Sequence, residues 1–129
     1  MANRRTAIMV VPPERAKGIA DGTVDMILSR RDFTKVGMPF FIITKESMSA
    51  TLYLKLGDRI ILNYLDYDRA RNSGLTPEEF REWCKKGEIY AYPIRELVRL
   101  DDPIPLSRFN IGTPRNFAYS EVTLKEVLS

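Results

Sequence analysis

Between Pro39 and Tyr64 the chain carries three short apolar segments in quick succession, and this stretch limits the fold more than any other. Pro39-Phe40-Phe41-Ile42-Ile43-Thr44 is an aromatic and β-branched run bounded by turn formers, and that composition favours a buried strand over a buried helix. Leu52-Tyr53-Leu54-Lys55 follows, Leu56-Gly57-Asp58 is a turn, and Arg59-Ile60-Ile61-Leu62-Asn63-Tyr64 is a further strand. A chain with this centre must build a sheet.

Helical signals flank the sheet. In Pro12 to Gly22, Pro13 suits a first helical turn, Ala16, Ile19 and Ala20 share one face, and Gly22 can close the helix in the left-handed conformation. Thr76-Pro77-Glu78-Glu79-Phe80 is a capping box with proline at the first helical position, and Phe80, Trp83 and Cys84 then fall on one inward face until Gly87. Thr6 to Val11 and Thr23 to Ser29 read as strands, the second leaving through Arg30-Arg31-Asp32. Glu88 to Leu100 reads as one or two strands with a break at Pro93, and the prolines keep Asp101 to Leu106 extended. Ser107 opens a short turn, and the tail offers the aromatic segment Asn116-Phe117-Ala118-Tyr119 and a closing helix from Thr123 to Leu128. The expected class is α+β, with residues 1–129 forming one domain; that length supports a core without disulfides.

No apolar run is long enough to span a membrane, and no signal-peptide pattern follows the first residues. A lone cysteine, Cys84, suits a reducing compartment, so a cytoplasmic location is expected. The net charge is +3, and residues 1 to 35 carry the whole excess, with seven Lys/Arg against four Asp/Glu. Such a local field attracts phosphates over about 10 Å at moderate salt.

The chain has no histidine, which removes Ser-His-Asp and Cys-His catalysis and the commonest zinc ligand together. A P-loop and a dinucleotide-binding glycine turn are also absent. Asp66 and Asp68 form a D-x-D pair that in principle offers half a magnesium site, but charges at a strand end serve solubility more often, so no metal or other cofactor is expected. What remains is cations interleaved with rings: Arg30, Arg31 and Lys35 after one strand, Tyr64 and Tyr67 after another, and Arg115, Phe117 and Tyr119 near the end. Single-stranded nucleic acid is held by such a combination of cationic groove and stacking rings.

The order of elements supports a comparison. Pro-Glu-Arg-Ala-Lys-Gly-Ile (13–19), the turn at Gly22, the strand after it, Gly57-Asp58-Arg59-Ile60-Ile61-Leu62, a later helix and Pro103-Ile104-Pro105-Leu106 resemble the PUA-like superfamily, nearest to its ASCH and EVE domains. The resemblance covers roughly residues 6 to 128 and implies a small mixed, strongly curved β-barrel with two to four short flanking helices. It also implies a cleft for RNA or modified bases. The ASCH signature runs Gly-x-Lys-x-x-Glu-x-Arg, and here Gly22 is its only match, with Val24, Ile27 and Ser29 in place of the charged members. Arg30 would replace the signature arginine only if the strand carried a bulge. Relatives that hydrolyse acylated cytidines depend on the lysine that Val24 replaces, so the resemblance does not extend to their activity.

The leading expectation is therefore a non-catalytic module for RNA or a modified nucleotide, bound through Arg30, Arg31, Lys35, Tyr64, Arg115 and Tyr119. One alternative is a small amidohydrolase acting on acylated nucleosides through Lys35 and Asp66. Another is a structural or protein-interaction subunit, with self-association as an open possibility.

Overall fold

A computed structural model of the chain describes residues 5–30, 38–112, 114 and 117–128. Its strands are β1 (Thr6–Val11), β2 (Met26–Ser29), β3 (Pro39–Thr44), β4 (Ser49–Leu56), β5 (Ile60–Leu62), β6 (Ile89–Pro105) and β7 (Phe117–Ser120), and its helices are α1 (Pro13–Asp21), α2 (Pro77–Cys84) and α3 (Leu124–Leu128). The strands form one sheet in the order β2-β6-β4-β3-β1-β7, with β5 also paired to β6. Among the described residues only β1 and β3 run parallel, so the sheet is mixed, and it curls into a strongly curved half-barrel.

The central apolar run explains the layering. In β3 Phe40 and Ile42 point to the inner face and Phe41 and Ile43 to the outer one, and all four are buried, because both faces are covered. The inner face packs Ala7, Val11, Leu52, Leu54 and Tyr92 under Ala16 and Ile19 of α1. On the outer face Phe41 meets Tyr53 and Phe109 with ring centroids 5.2 and 4.9 Å apart, beneath Val127 of α3. A third cluster, Leu62, Ala70, Phe80, Ile89 and Ala91, joins α2 and a 3-10 turn over Tyr67–Ser73 to the β2-β6-β5 end of the sheet.

Helix α1 spans the expected range, and Gly22 ends it at φ 87°, a conformation that costs a side chain strain. The capping box of α2 is formed: the Glu79 N–H donates to Thr76 Oγ1 at 3.2 Å and the Thr76 N–H donates to Glu79 Oε1 at 3.0 Å. The Thr76 N–H, and after it the Thr76 hydroxyl, hold the Glu79 carboxyl below its ordinary range, with a smaller contribution from the charge of Arg15.

Several boundaries differ from the sequence reading. Residues 23–25 are not strand, because the Val24 N–H turns back to the Gly18 carbonyl at 2.9 Å and the Asp25 N–H bonds Asn72. Strand β6 does not break at Pro93. The Ile94 N–H donates to the Asp25 carbonyl, so the bonded pairs of the β2–β6 ladder are Ile27↔Tyr92 and Ser29↔Tyr90, and Pro93 faces Met26 at a position that needs no donor. On the other side of β6, Pro93 falls where its partner changes from β5 to β4, and its carbonyl accepts from the Gly57 N–H at 2.8 Å. The turn over Tyr67–Ser73 has no counterpart in the sequence reading.

Helix α1 and the segment leading into β2 approach most tightly at Gly18 and Val24. A Cβ at Gly18 would lie 2.8 Å from Val24 Cγ2 and 3.2 Å from Thr23 Oγ1. Gly18→Ala is therefore expected to destabilise by about 1–2 kcal/mol, overpacking outweighing the gain in helix propensity. Urea denaturation checks this; a stabilised variant would mean that Val24 yields freely.

Candidate nucleic-acid interface

Strand β2 is one edge of the sheet, and beside it lies a cleft lined by Met9, Arg15, Val24, Met26, Ile27, Leu28, Ser73, Leu75 and Trp83. Its enclosed part is small, about 20 Å³, room for a water or two, and the rest opens to solvent. Each wall follows from the fold. β1 supplies Met9 from the inner face, α1 supplies Arg15 from its first turn, and α2 supplies Trp83 one turn beyond the buried anchor Phe80. Ser73 and Leu75 come from the turn preceding α2, which is held by the Tyr67 hydroxyl donating to the Leu75 carbonyl at 3.0 Å.

Two cations reach this apolar cleft. The guanidinium of Arg30 lies over the Trp83 ring, 4.9 Å from its centroid. Arg15 is half-buried in the facing wall, and its guanidinium has no hydrogen-bonded or ion-paired partner among the described residues, although Glu79 is near enough for the two charges to interact. Arg15 was missed in the sequence because its helical pattern reads as structure alone; what places it in the cleft is the contact between α1 and the turn ahead of α2. Trp83 read as a core residue there, and it is only partly buried, as is Cys84, whose thiol burial and then the charge of Asp66 push up.

The ladder of β2 on β6 runs without a register shift, so no bulge brings Arg30 into the place of the signature arginine. Alternation turns Ile27 and Ser29 to the inner face and Met26, Leu28 and Arg30 toward α2. Val24 is buried against Gly18, and Ile27 is 4% exposed within the inner core. Two of the three charged signature positions are thus occupied by packing residues, Val24 and Ile27, and the third by the half-buried Ser29.

The other residues singled out in the sequence fall in different places. Tyr119 and Phe117 lie on β7 opposite Ala7 and Met9, half-buried against the inner core and edge-to-face at 4.9 Å. Tyr64 is 64% exposed beyond the end of β5, on the far side of β6 from β2. Two strand spacings, about 10 Å, separate the exits of β2 and β5, so Tyr64 is not a wall of the cleft. Tyr67 is a packing ring, with its centroid 5.6 Å from that of Phe80. Arg31, Lys35 and Arg115 lie outside the described residues.

The carboxylates have local structural partners. Asp66 Oδ2 accepts the Asn63 N–H at 2.8 Å, and Asp68 pairs with Arg71 at 2.9 Å. Among the described residues no group of three or more Cys, Asp or Glu is placed to hold a metal ion, and no helix is long and apolar enough to cross a membrane.

A curled mixed sheet with α1 packed on its inner face and further helices around it is the fold of the PUA-like domains. In fold the chain is similar to the ASCH protein of Zymomonas mobilis. A serine-to-alanine variant of that protein superposes with a TM-score of 0.77 at 20% identity, over 98% of this chain and 94% of the other. The unsubstituted protein gives 0.76 at 19% identity over 96% and 92%, and a tyrosine-to-phenylalanine variant gives 0.76 at 20% over 96% and 94%. At such identity the likeness speaks for the fold. No family model matches the chain. No curated protein matches it either.

Proposed function

We propose that the chain is a non-catalytic binding module for single-stranded RNA or a modified nucleobase, and that the cleft beside β2 receives the base. The observation that carries this reading is the pair of cations on an apolar, ring-bearing slot: Arg30 over Trp83 on one wall and Arg15 on the other. The partly exposed indole suits stacking of a base at the open mouth of the cleft, and the two guanidiniums suit phosphates beside it. The PUA-like fold and the local positive excess of residues 1 to 35 favour the same partner. With Val24 in the cleft wall the chain brings no amine to that position, and Asp66 is occupied at its turn, so turnover of acylated nucleosides gains no support from the described residues. A cytoplasmic setting suits the free thiol of Cys84.

Neutralising Arg15 and Arg30 together tests the reading. With a short single-stranded RNA the double variant should bind at least tenfold more weakly at low salt, and the slope of log K against log salt should fall by about 1.4, or roughly 0.7 per lost phosphate contact. Unchanged affinity and slope would remove the cleft from consideration.

A further inference from the structure

The edge of β2 that faces the cleft carries chemistry of its own. The β2–β6 ladder uses the N–H and C=O groups of Ile27 and Ser29, so those of Met26 and Leu28 point away from the sheet, on the side where both residues line the cleft. In an extended residue the N–H and C=O project side by side, giving one donor and one acceptor a few ångströms apart. Every nucleobase presents a donor next to an acceptor on its Watson–Crick edge. An incoming peptide strand would meet the same groups, but the edge is short and closed at its start. The Asp25 N–H is bonded to the Asn72 carbonyl at 2.9 Å, and Asn72 Nδ2 donates to Asp25 Oδ2 at 3.3 Å. A strand adding to β2 would collide with this turn, whereas a single planar ring at Leu28 need not run past it.

We infer that the backbone of Leu28 reads the Watson–Crick edge of the bound base, so that the cleft selects for an unblocked edge rather than for the sugar-phosphate chain. This rests on the proposed function and adds the chemical basis of recognition. Ladder position makes the device testable, because Leu28 bonds nothing in β6, and proline there removes the free N–H while sparing the pairing of its neighbours.

The experiment compares short homo-oligoribonucleotides, the same chains with the bases removed, and the best-bound chain methylated at N3 of its pyrimidine or N1 of its purine. The unsubstituted protein should favour the base-bearing over the abasic chain, and methylation should weaken binding roughly 5- to 10-fold, the effect of about one to two net hydrogen bonds. Leu28→Pro, which keeps the carbonyl but loses the N–H, should discriminate methylated from unmethylated chains clearly less well than the unsubstituted protein. Leu28→Ala, which loses the same side chain but keeps the N–H, should still distinguish them, though with lower overall affinity. Thermal unfolding confirms that each variant folds, and the methylation series on the unsubstituted protein decides the question if the proline variant does not. Indifference to methylation, or equal discrimination by the proline and alanine variants, would overturn the edge readout alone. Failure to bind any of the oligonucleotides would overturn the nucleic-acid reading with it, and binding of an extended peptide in their place would assign the edge to strand addition.

Discussion

Replacing Trp83 with alanine is expected to weaken binding of a short single-stranded RNA by roughly 5- to 150-fold, the equivalent of about 1–3 kcal/mol for one base stacked on the ring. Trp83 is placed for this by a sequence of local causes. Thr76 and Glu79 start α2, Phe80 anchors it in the third cluster with no exposed surface, and one turn later the indole emerges at the cleft. On the proposed reading, Arg30 over the ring would add cationic attraction for the phosphate next to a stacked base. The substitution removes the platform and the seat of Arg30 together, so its effect should exceed that of Arg30→Ala alone. Fluorescence anisotropy of a labelled oligonucleotide measures both, and equal affinities for Trp83→Ala and the unsubstituted protein would mean that bases stack elsewhere.

Phe80→Ala should be the most destabilising single change around the cleft, at about 3–5 kcal/mol. The ring is fully buried between Leu62, Ala70, Ile89 and Ala91, and Tyr67 packs on it at 5.6 Å. A helix as short as α2 depends on packing more than on propensity, so little compensates for the cavity. A protein of ordinary stability, about 5–15 kcal/mol, would lose a large fraction of it. Because α2 and the preceding turn supply Ser73, Leu75 and Trp83 to the cleft, affinity for RNA should fall in parallel near the unfolding midpoint. The urea midpoint and the binding constant measured on the same samples check this. A loss below about 1 kcal/mol would indicate that Tyr67 and Leu62 collapse into the space.

The sheet was legible in the sequence wherever local composition decided the outcome. Pro39 to Thr44 is a strand because its aromatic and β-branched residues favour one where periodicity does not decide, and Thr76 to Phe80 opens a helix because the cap, proline and glutamate satisfy its first turn among themselves. The misreadings arose where a distant partner decides. Thr23 to Asp25 carries β-compatible residues, yet the carbonyls of Gly18 and Asn72 bend it away from the strand. Pro93 looks like a break until the pairing on both sides shows that no donor is required of it. For the site, Arg30 was legible as a cation leaving β2, whereas the ring it meets belongs to a helix that begins 47 residues later, at Pro77. Arg15 and Trp83 read as helix and core because each does belong to a packed helix. Their convergence on the β2 edge is a property of the curled sheet.

The chain has a single tryptophan, and it is the one that lines the cleft, so its emission reports on that cleft and on nothing else. Titration with a short unlabelled single-stranded RNA should quench or shift the Trp83 emission saturably, at a concentration that matches the anisotropy isotherm and rises with salt. Binding by anisotropy that leaves the emission of Trp83 unchanged from start to saturation would contradict the account.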